Sequence, residues 1–166
     1  MGAGKTTLGR ALASKLGITF IDLDNYIELR HCKSINQIFA ERGEEGFRKI
    51  EQALLHEVCE FEDIIISSGG GTPCFFDNIE YMNRQGTTIY LEVPHARLLE
   101  RLRIAKSRRP LLKDKNDEEI SQFIEEQMQK RSPFYTQAAH KFTADRLEDK
   151  IQIKESVEKF RKEFGL

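Results

Sequence analysis

Apolar positions along the chain repeat with helical and strand periods in alternation. Leu8, Leu12 and Leu16 stack at i, i+4, i+8, which predicts a helix over residues 7–16 that Gly17 ends. Residues 19–23 (TFIDL) predict a strand with Asp22 and Asp24 at its C-terminal end. Ser34 followed by Gln37 is a capping-box pattern and opens a helix predicted over residues 35–41. Phe47, Ile50, Leu54, Leu55 and Val58 mark one face of a longer helix over residues 44–60. The apolar stretch 63–67 (DIIIS) predicts a strand that runs into Gly69-Gly70-Gly71. A helix over 77–85, a strand over 87–93 and a helix over 94–103 follow, the last with Pro94 near its first turn. Residues 106–117 are basic, then polar, and predict irregular chain. A helix over 118–137 has to bend or break at Pro133. A short edge strand at 141–143 and an amphipathic helix over 155–164 complete the pattern.

Short apolar strands alternating with helices predict an α/β fold with a parallel sheet covered on both faces. In such sheets ligands bind at the C-terminal ends of the strands. Asp22, Asp24 and the Gly69–Gly71 run all fall at such ends.

Composition narrows this picture. The chain has 166 residues, enough for one domain with a core of its own. Hydrophobic residues make up 39% and charged residues 32%, which describes a soluble globular chain rather than a disordered or membrane one. No apolar run approaches the roughly 18–20 residues of a membrane span. Lys plus Arg total 26 against 27 Asp plus Glu, so a generally basic nucleic-acid binder is not expected. Cys32, Cys59 and Cys74 are odd in number and far apart, which argues against disulfides and zinc and for a reducing cytoplasm. They are expected as small buried hydrophobes. His31, His56, His95 and His140 lack metal-ligand spacing.

The strongest chemical signal opens the chain. Gly2-Ala3-Gly4-Lys5-Thr6-Thr7 carries the GKT core of a phosphate-binding loop ahead of the leucine-patterned helix. Glycines let backbone N–H groups turn inward around phosphate oxygens, and the helix N-terminus faces the anion. Lys5 is expected at the β- and γ-phosphates and the Thr6 hydroxyl on Mg²⁺. The full motif also has a glycine five residues before Gly4 and a strand before that, and neither is present.

Asp22 and Asp24, two apart on an extended segment, share one side. One suits a water-mediated Mg²⁺ contact and the other a substrate hydroxyl, unless Asp24 merely caps a helix. Arg48 with Glu51 three residues on is either a surface ion pair or an arginine oriented to clamp a carboxylate. Three successive glycines at 69–71 point to close approach of backbone to a ligand. Arg108-Arg109-Pro110-Leu111-Leu112 suggests a mobile lid with an arginine for the transferring phosphoryl group. Arg131, near Tyr135, is a second candidate anion clamp.

Taken together, MGAGKTTLGRALA, DLDNYIE, SINQIFAERGEEGFRKIE, SSGGGTP, RRPLL and RSPFYTQAA resemble, in order, segments of the shikimate kinase family. The resemblance covers residues 1 to about 139, and the SINQIFAERGEEGFRKIE stretch is its most diagnostic part. It implies a three-layer αβα P-loop NTPase fold with family strand order 2-3-1-4-5, here with the central first strand missing. It implies one domain over residues 1–166, with substrate-binding helices at about 24–60 and a lid at about 104–117. The implied reaction is transfer of the ATP γ-phosphoryl to the 3-hydroxyl of shikimate with Mg²⁺, in a cytoplasmic monomer without nucleic-acid or membrane partners.

By the same resemblance, Gly2 to Thr7 hold ATP phosphates, with Lys5 catalytic, Thr6 on Mg²⁺ and Asp22 supporting the metal through water. Asp24 binds the shikimate hydroxyls and is the candidate base. Arg48, Gly70 and Arg131 complete the substrate site, and Arg109 is the lid arginine that contacts ATP. Glu51 holds Arg48, and Phe39 and Phe47 line the ring pocket. No adenine-contacting residue is assigned around Arg101–Arg103 or in residues 144–149. Two alternatives stand beside this reading: another small-metabolite P-loop kinase such as a gluconate kinase, or a truncated, non-catalytic remnant. A missing central strand removes four or five buried apolar side chains, at about 1.5–3 kcal/mol each. Because a whole domain is stable by only about 5–15 kcal/mol, the 166-residue chain as written is expected to be marginal in stability.

Overall fold

The structure is a computed structural model that describes residues 2–105 and 115–166. Helix α1 (Lys5–Leu16) buries Leu8, Leu12 and Ala13 and ends where Gly17, at φ 71°, returns its N–H to the Ala13 carbonyl. Strand β1 (Thr19–Asp22) pairs in parallel with β2 (Ile64–Ser67), in the register Thr19↔Ile64 to Asp22↔Ser67. Between them run α2 (Leu23–His31) and α3 (Ile35–Cys59). Helix α4 (Asn78–Gln85) leads to β3 (Ile89–Glu92), and α5 (His95–Ile104) and α6 (Asp117–Tyr135) lead to β4 (His140–Thr143). Strands β3 and β4 are also parallel, Ile89↔His140 to Glu92↔Thr143. Helix α7 (Lys150–Phe164) closes the chain and packs on α1.

The described strands form two separate two-stranded ladders, β1-β2 and β3-β4. Both ladders are parallel, as expected of an α/β fold. Two apolar clusters accompany the ladders. One joins α1, α5, α6 and α7 through Leu8, Leu102, Ile120, Phe142 and Phe160. The other joins α2 and α3 through Leu23, Ile27, Ile38, Phe47 and Leu55. Helix α1 lies against β1 and β2 as well as α7, and Gly9 permits this, since a Cβ there would sit 2.8 Å from the Phe20 ring.

Several sequence-based expectations are corrected in detail. The segment after Asp22 is helix α2, whose first turn includes Asp24, so Asp22 and Asp24 do not share an extended segment. Asp22 itself is the N-cap and accepts from the Asn25 N–H, so the capping role expected of Asp24 belongs to Asp22. The predicted helices 35–41 and 44–60 join into α3 across Gly43, where φ 67° and ψ −179° interrupt the helix. The capping box at Ser34 and Gln37 is present. Helix α6 continues past Pro133 and stops at Tyr135, because a proline near the end of a helix removes a single ladder bond. Helix α7 begins five residues before its predicted start, where Asp149 caps it by accepting from Ile151 and Gln152 N–H. Cys32 is exposed at the left-handed C-cap of α2, and Cys59 and Cys74 are partly buried, so the cysteines are not a buried set. Residues 106–114, and with them the predicted lid and Arg109, lie outside the described residues.

Candidate active site

The first half of the site is made by backbone. Gly2 and Gly4 adopt φ 73° and 87°, values that favour glycine. A Cβ on Gly4 would lie 2.4 Å from a methyl of Leu147, and one on Gly2 would lie 3.2 Å from Leu102. The loop is therefore pressed between α5 and the segment after β4. Arg101 fastens this packing. Its guanidinium donates to the carbonyls of Gly2, Ala3, Ala144 and Asp145 at 3.1–3.5 Å and pairs with Glu148 at 2.8 Å. Helix α1 begins directly after Gly4 without a side-chain cap, and a helix N-terminus favours an anion.

The Thr6 hydroxyl donates to Asp22 Oδ2 at 2.7 Å, which ties the start of α1 to the end of β1. This donation leaves the lone pairs of the Thr6 oxygen available. A hydroxyl beside a carboxylate, with Asp24 close by, is a hard oxygen donor set. It suits Mg²⁺, which keeps several waters and takes phosphate oxygens from its nucleotide. Among the described residues no cluster of three or more His, Cys, Asp or Glu side chains forms a self-sufficient metal cage.

Asp24 stands at the junction with the second half of the site. Burial raises its pKa first, and the negative charges of Asp22 and Glu51 raise it further, against the opposing charge of Lys5. The carboxylates of Asp24 and Glu51 flank Gly69, where a Cβ would lie 3.3 Å from each and 2.9 Å from the Thr72 hydroxyl. Gly69 is the residue that lets these groups converge.

The second half of the site is made by side chains. Glu51 is 1% exposed, and its two oxygens accept from Arg48 Nη1 and from the Thr72 hydroxyl, each at 2.7 Å. This excludes the surface ion-pair reading of Arg48 and Glu51. The Arg48 guanidinium lies 4.0 Å from the Phe75 ring centroid, with Phe47 and Phe39 farther out at 5.2 and 6.0 Å. Phe39 and Phe47 stack on one another, and Phe47 belongs to the second core cluster, so it backs this wall rather than offering surface. Arg48 Nε is out of solvent and has no hydrogen-bond partner among the described residues, so a donor of the guanidinium remains unspent. A Cβ on Gly71 would lie 2.9 Å from Arg48 Nη2, so the glycine turn passes close over the guanidinium. From α6, the Tyr135 hydroxyl donates to the Gly70 carbonyl at 2.6 Å. Arg131, one turn earlier on α6, lies within electrostatic reach of the Tyr135 hydroxyl and of Cys74, and Arg48 also reaches Cys74.

The structure thus brings together Lys5, Thr6, Asp22, Asp24, Arg48, Gly70 and Arg131. Sequence reasoning overlooked Phe75, Thr72 and Asn78, and it flagged the region of Arg101 without a role. A buried threonine and asparagine leave no local periodicity to read. Phe75, directly after the glycine turn and its Thr-Pro-Cys, was the readable signal.

Comparison with known proteins identifies the family. The shikimate kinase family profile matches residues 1–163. A shikimate kinase of Phocaeicola vulgatus is 59% identical over 165 residues, covering 99% of this chain and 94% of the relative. A crystal structure of shikimate kinase from Bacteroides thetaiotaomicron superposes with a TM-score of 0.95 at 55% identity, covering 100% of this chain and 94% of that one. A shikimate kinase from Acinetobacter baumannii, solved in complex with shikimate, gives a TM-score of 0.83 at 31% identity, covering 99% and 89%. No helix among the described residues is long and apolar enough to cross a membrane. With the glycine loop, the paired acidic residues and the buried arginine all in place along a chain matched over nearly its whole length, the protein belongs to the shikimate kinase family of ATP:shikimate 3-phosphotransferases.

Proposed function

We propose that the two halves of the site divide the phosphoryl transfer between them. The loop from Gly2 to Thr7 holds the ATP phosphates, and Lys5 stabilises the charge that builds on the transferring group. Thr6 holds Mg²⁺ directly and Asp22 does so through water. The ion, when bound, neutralises charge on the β- and γ-phosphate oxygens. Arg48 and Arg131 meet the shikimate carboxylate, and Gly70 supplies backbone to the same substrate. By the family resemblance Arg109 contacts ATP, and helices at about 24–60 of the one domain bind the acceptor.

Asp24 orients the 3-hydroxyl and takes its proton. The oxygen forms a bond to the γ-phosphorus while the bond from that phosphorus to the β,γ-bridging oxygen breaks, and ADP leaves with that electron pair. A carboxylate whose proton affinity is raised by burial and neighbouring negative charge accepts a proton more readily than an exposed one. We read the working form as a cytoplasmic monomer without nucleic-acid or membrane partners, on the strength of the family resemblance.

The observation that carries this reading is the largely buried Arg48, held by Glu51 and Phe75 with its Nε donor unspent beside the glycine turn. Such a group is built for a carboxylate-bearing acceptor. The test is ADP release from Mg-ATP with shikimate, with gluconate and with no acceptor, and phosphorus NMR of the product. Shikimate-dependent release giving the 3-phosphate is expected. Release with gluconate but not with shikimate overturns the assignment of the acceptor.

A further inference from the structure

The two arginines of the proposed acceptor site stand on different helices, Arg48 on α3 and Arg131 on α6. Neither helix by itself determines how far apart their guanidinium groups lie. What connects them is the turn from Gly69 to Thr72. The turn is closed internally, since the Thr72 N–H donates to the Gly69 carbonyl at 3.2 Å. It is anchored from behind, since the fully buried Asn78 donates to the Thr72 carbonyl at 2.8 Å.

Each arginine reaches this turn through one hydroxyl group. On the α3 side the Thr72 hydroxyl donates to Glu51 Oε1, and Glu51 Oε2 holds Arg48. On the α6 side Arg131 stands one turn before Tyr135, within electrostatic reach of its hydroxyl, and that hydroxyl donates to the Gly70 carbonyl. The Tyr135 ring is itself held by stacking on Tyr90, with centroids 5.1 Å apart. Thr72 is completely buried, so water does not substitute for its hydroxyl.

We propose that Tyr135 and Thr72 are positioning residues for the acceptor. Their hydroxyls fasten Arg131 and Arg48 to opposite sides of one glycine turn and so set the spacing of the carboxylate clamp. The inference rests on the acceptor-site reading above. A clamp tied to a closed turn meets a small rigid anion without reorganising, whereas two untied arginines must be ordered at each binding event. Neither hydroxyl touches the nucleotide side of the site, so their loss falls on one substrate alone.

The experiment compares Tyr135→Phe, Thr72→Val, Thr72→Ser and Arg131→Gln with the parent, measuring KM for shikimate, KM for ATP and the melting temperature of each. Tyr135→Phe removes one oxygen and keeps the ring stack. It is expected to raise KM for shikimate about tenfold with KM for ATP unchanged, the size of one lost polar link. Thr72→Val is expected to do the same and Thr72→Ser to restore the parent value. Arg131→Gln separates the two readings. If it leaves KM for shikimate unchanged, the clamp itself is wrong and the inference falls with it. If it raises KM for shikimate while Tyr135→Phe does not, the clamp stands and the positioning role is overturned. An equal rise in both KM values with a lowered melting temperature in Tyr135→Phe also overturns it, because that is what loss of general structure produces.

Discussion

The two anion-binding regions of this molecule are built from different materials. The loop around Gly2 to Thr7 relies on backbone: glycines at positive φ and the N-terminus of α1. Its support is a side chain, Arg101, that binds mostly carbonyl groups. The acceptor region reverses this arrangement. Its donors are the side chains of Arg48 and Arg131, and their support runs through buried Glu51, Thr72 and Asn78. The physical difference is where the desolvation cost lies. Backbone N–H groups at a helix start are unpaired whatever the tertiary structure does, so offering them to phosphate adds little burial cost. A guanidinium taken out of water needs a charged partner and further hydrogen bonds, and these must come from distant parts of the chain.

That contrast can be broken or sharpened by substitution. The largest effect is expected for Lys5→Ala, which removes a charge made for the transition state and should lower kcat about 10³-fold, read by coupled ADP release. Next is Glu51→Gln, which leaves the largely buried Arg48 with only the exposed Glu44, at 3.5 Å, as a counter-charge. A loss of about 3 kcal/mol is expected in denaturant unfolding, together with a raised KM for shikimate. A loss below about 0.5 kcal/mol would show the pair to behave like an ordinary surface bridge.

Gly69→Ala is expected to lower kcat/KM for shikimate about tenfold while sparing KM for ATP, because its Cβ enters the gap between Asp24, Glu51 and Thr72. Arg101→Gln is the counterpart on the nucleotide side. It should raise KM for ATP about fivefold and leave KM for shikimate alone. Reversal of that selectivity in either variant would mean that the two regions are not separately supported.

The smallest effect on stability concerns Asp24. Its pKa in the folded protein is raised above the ordinary value of 3.8, by burial first and then by Asp22 and Glu51. The protonated form is thus favoured by folding. The stability this contributes is complete below the unfolded value and is lost as pH rises through the folded one. Asp24→Asn should therefore melt higher than the parent at neutral pH while losing activity, and the difference should close at about pH 4 and below. A variant that melts lower than the parent at neutral pH would show that the Asp24 carboxylate stabilises the fold instead.

Element by element, the sequence was legible where the determining interaction is local. The leucine spacing of α1, the capping box at Ser34 and the apolar strands β1 and β2 all appear close to where the pattern places them. The apolar pattern alone did not mark α2, because Asn25, Glu28 and Arg30 interrupt any apolar face, Leu29 is exposed, and only Leu23 and Ile27 are buried. The start of α7 escaped because Asp149 caps it ahead of the apolar pattern. In the site, the phosphate loop and the acidic pair were readable as contiguous motifs. The choice between surface pair and buried clamp for Arg48 and Glu51 was not, since i, i+3 spacing is the same in both.

What this sequence determines by itself is the set of local conformations and the chemical types at the loop, the acidic pair and the glycine run, because each depends on residues within a few positions. The tertiary structure alone decides that Glu51 loses contact with water, that Thr72 and Asn78 supply its missing partners, and that Tyr135 on α6 reaches the carbonyl of Gly70 sixty-five residues away. The reason is that burial and long-range hydrogen bonding depend on which surfaces meet, and no short window of sequence contains both of those surfaces.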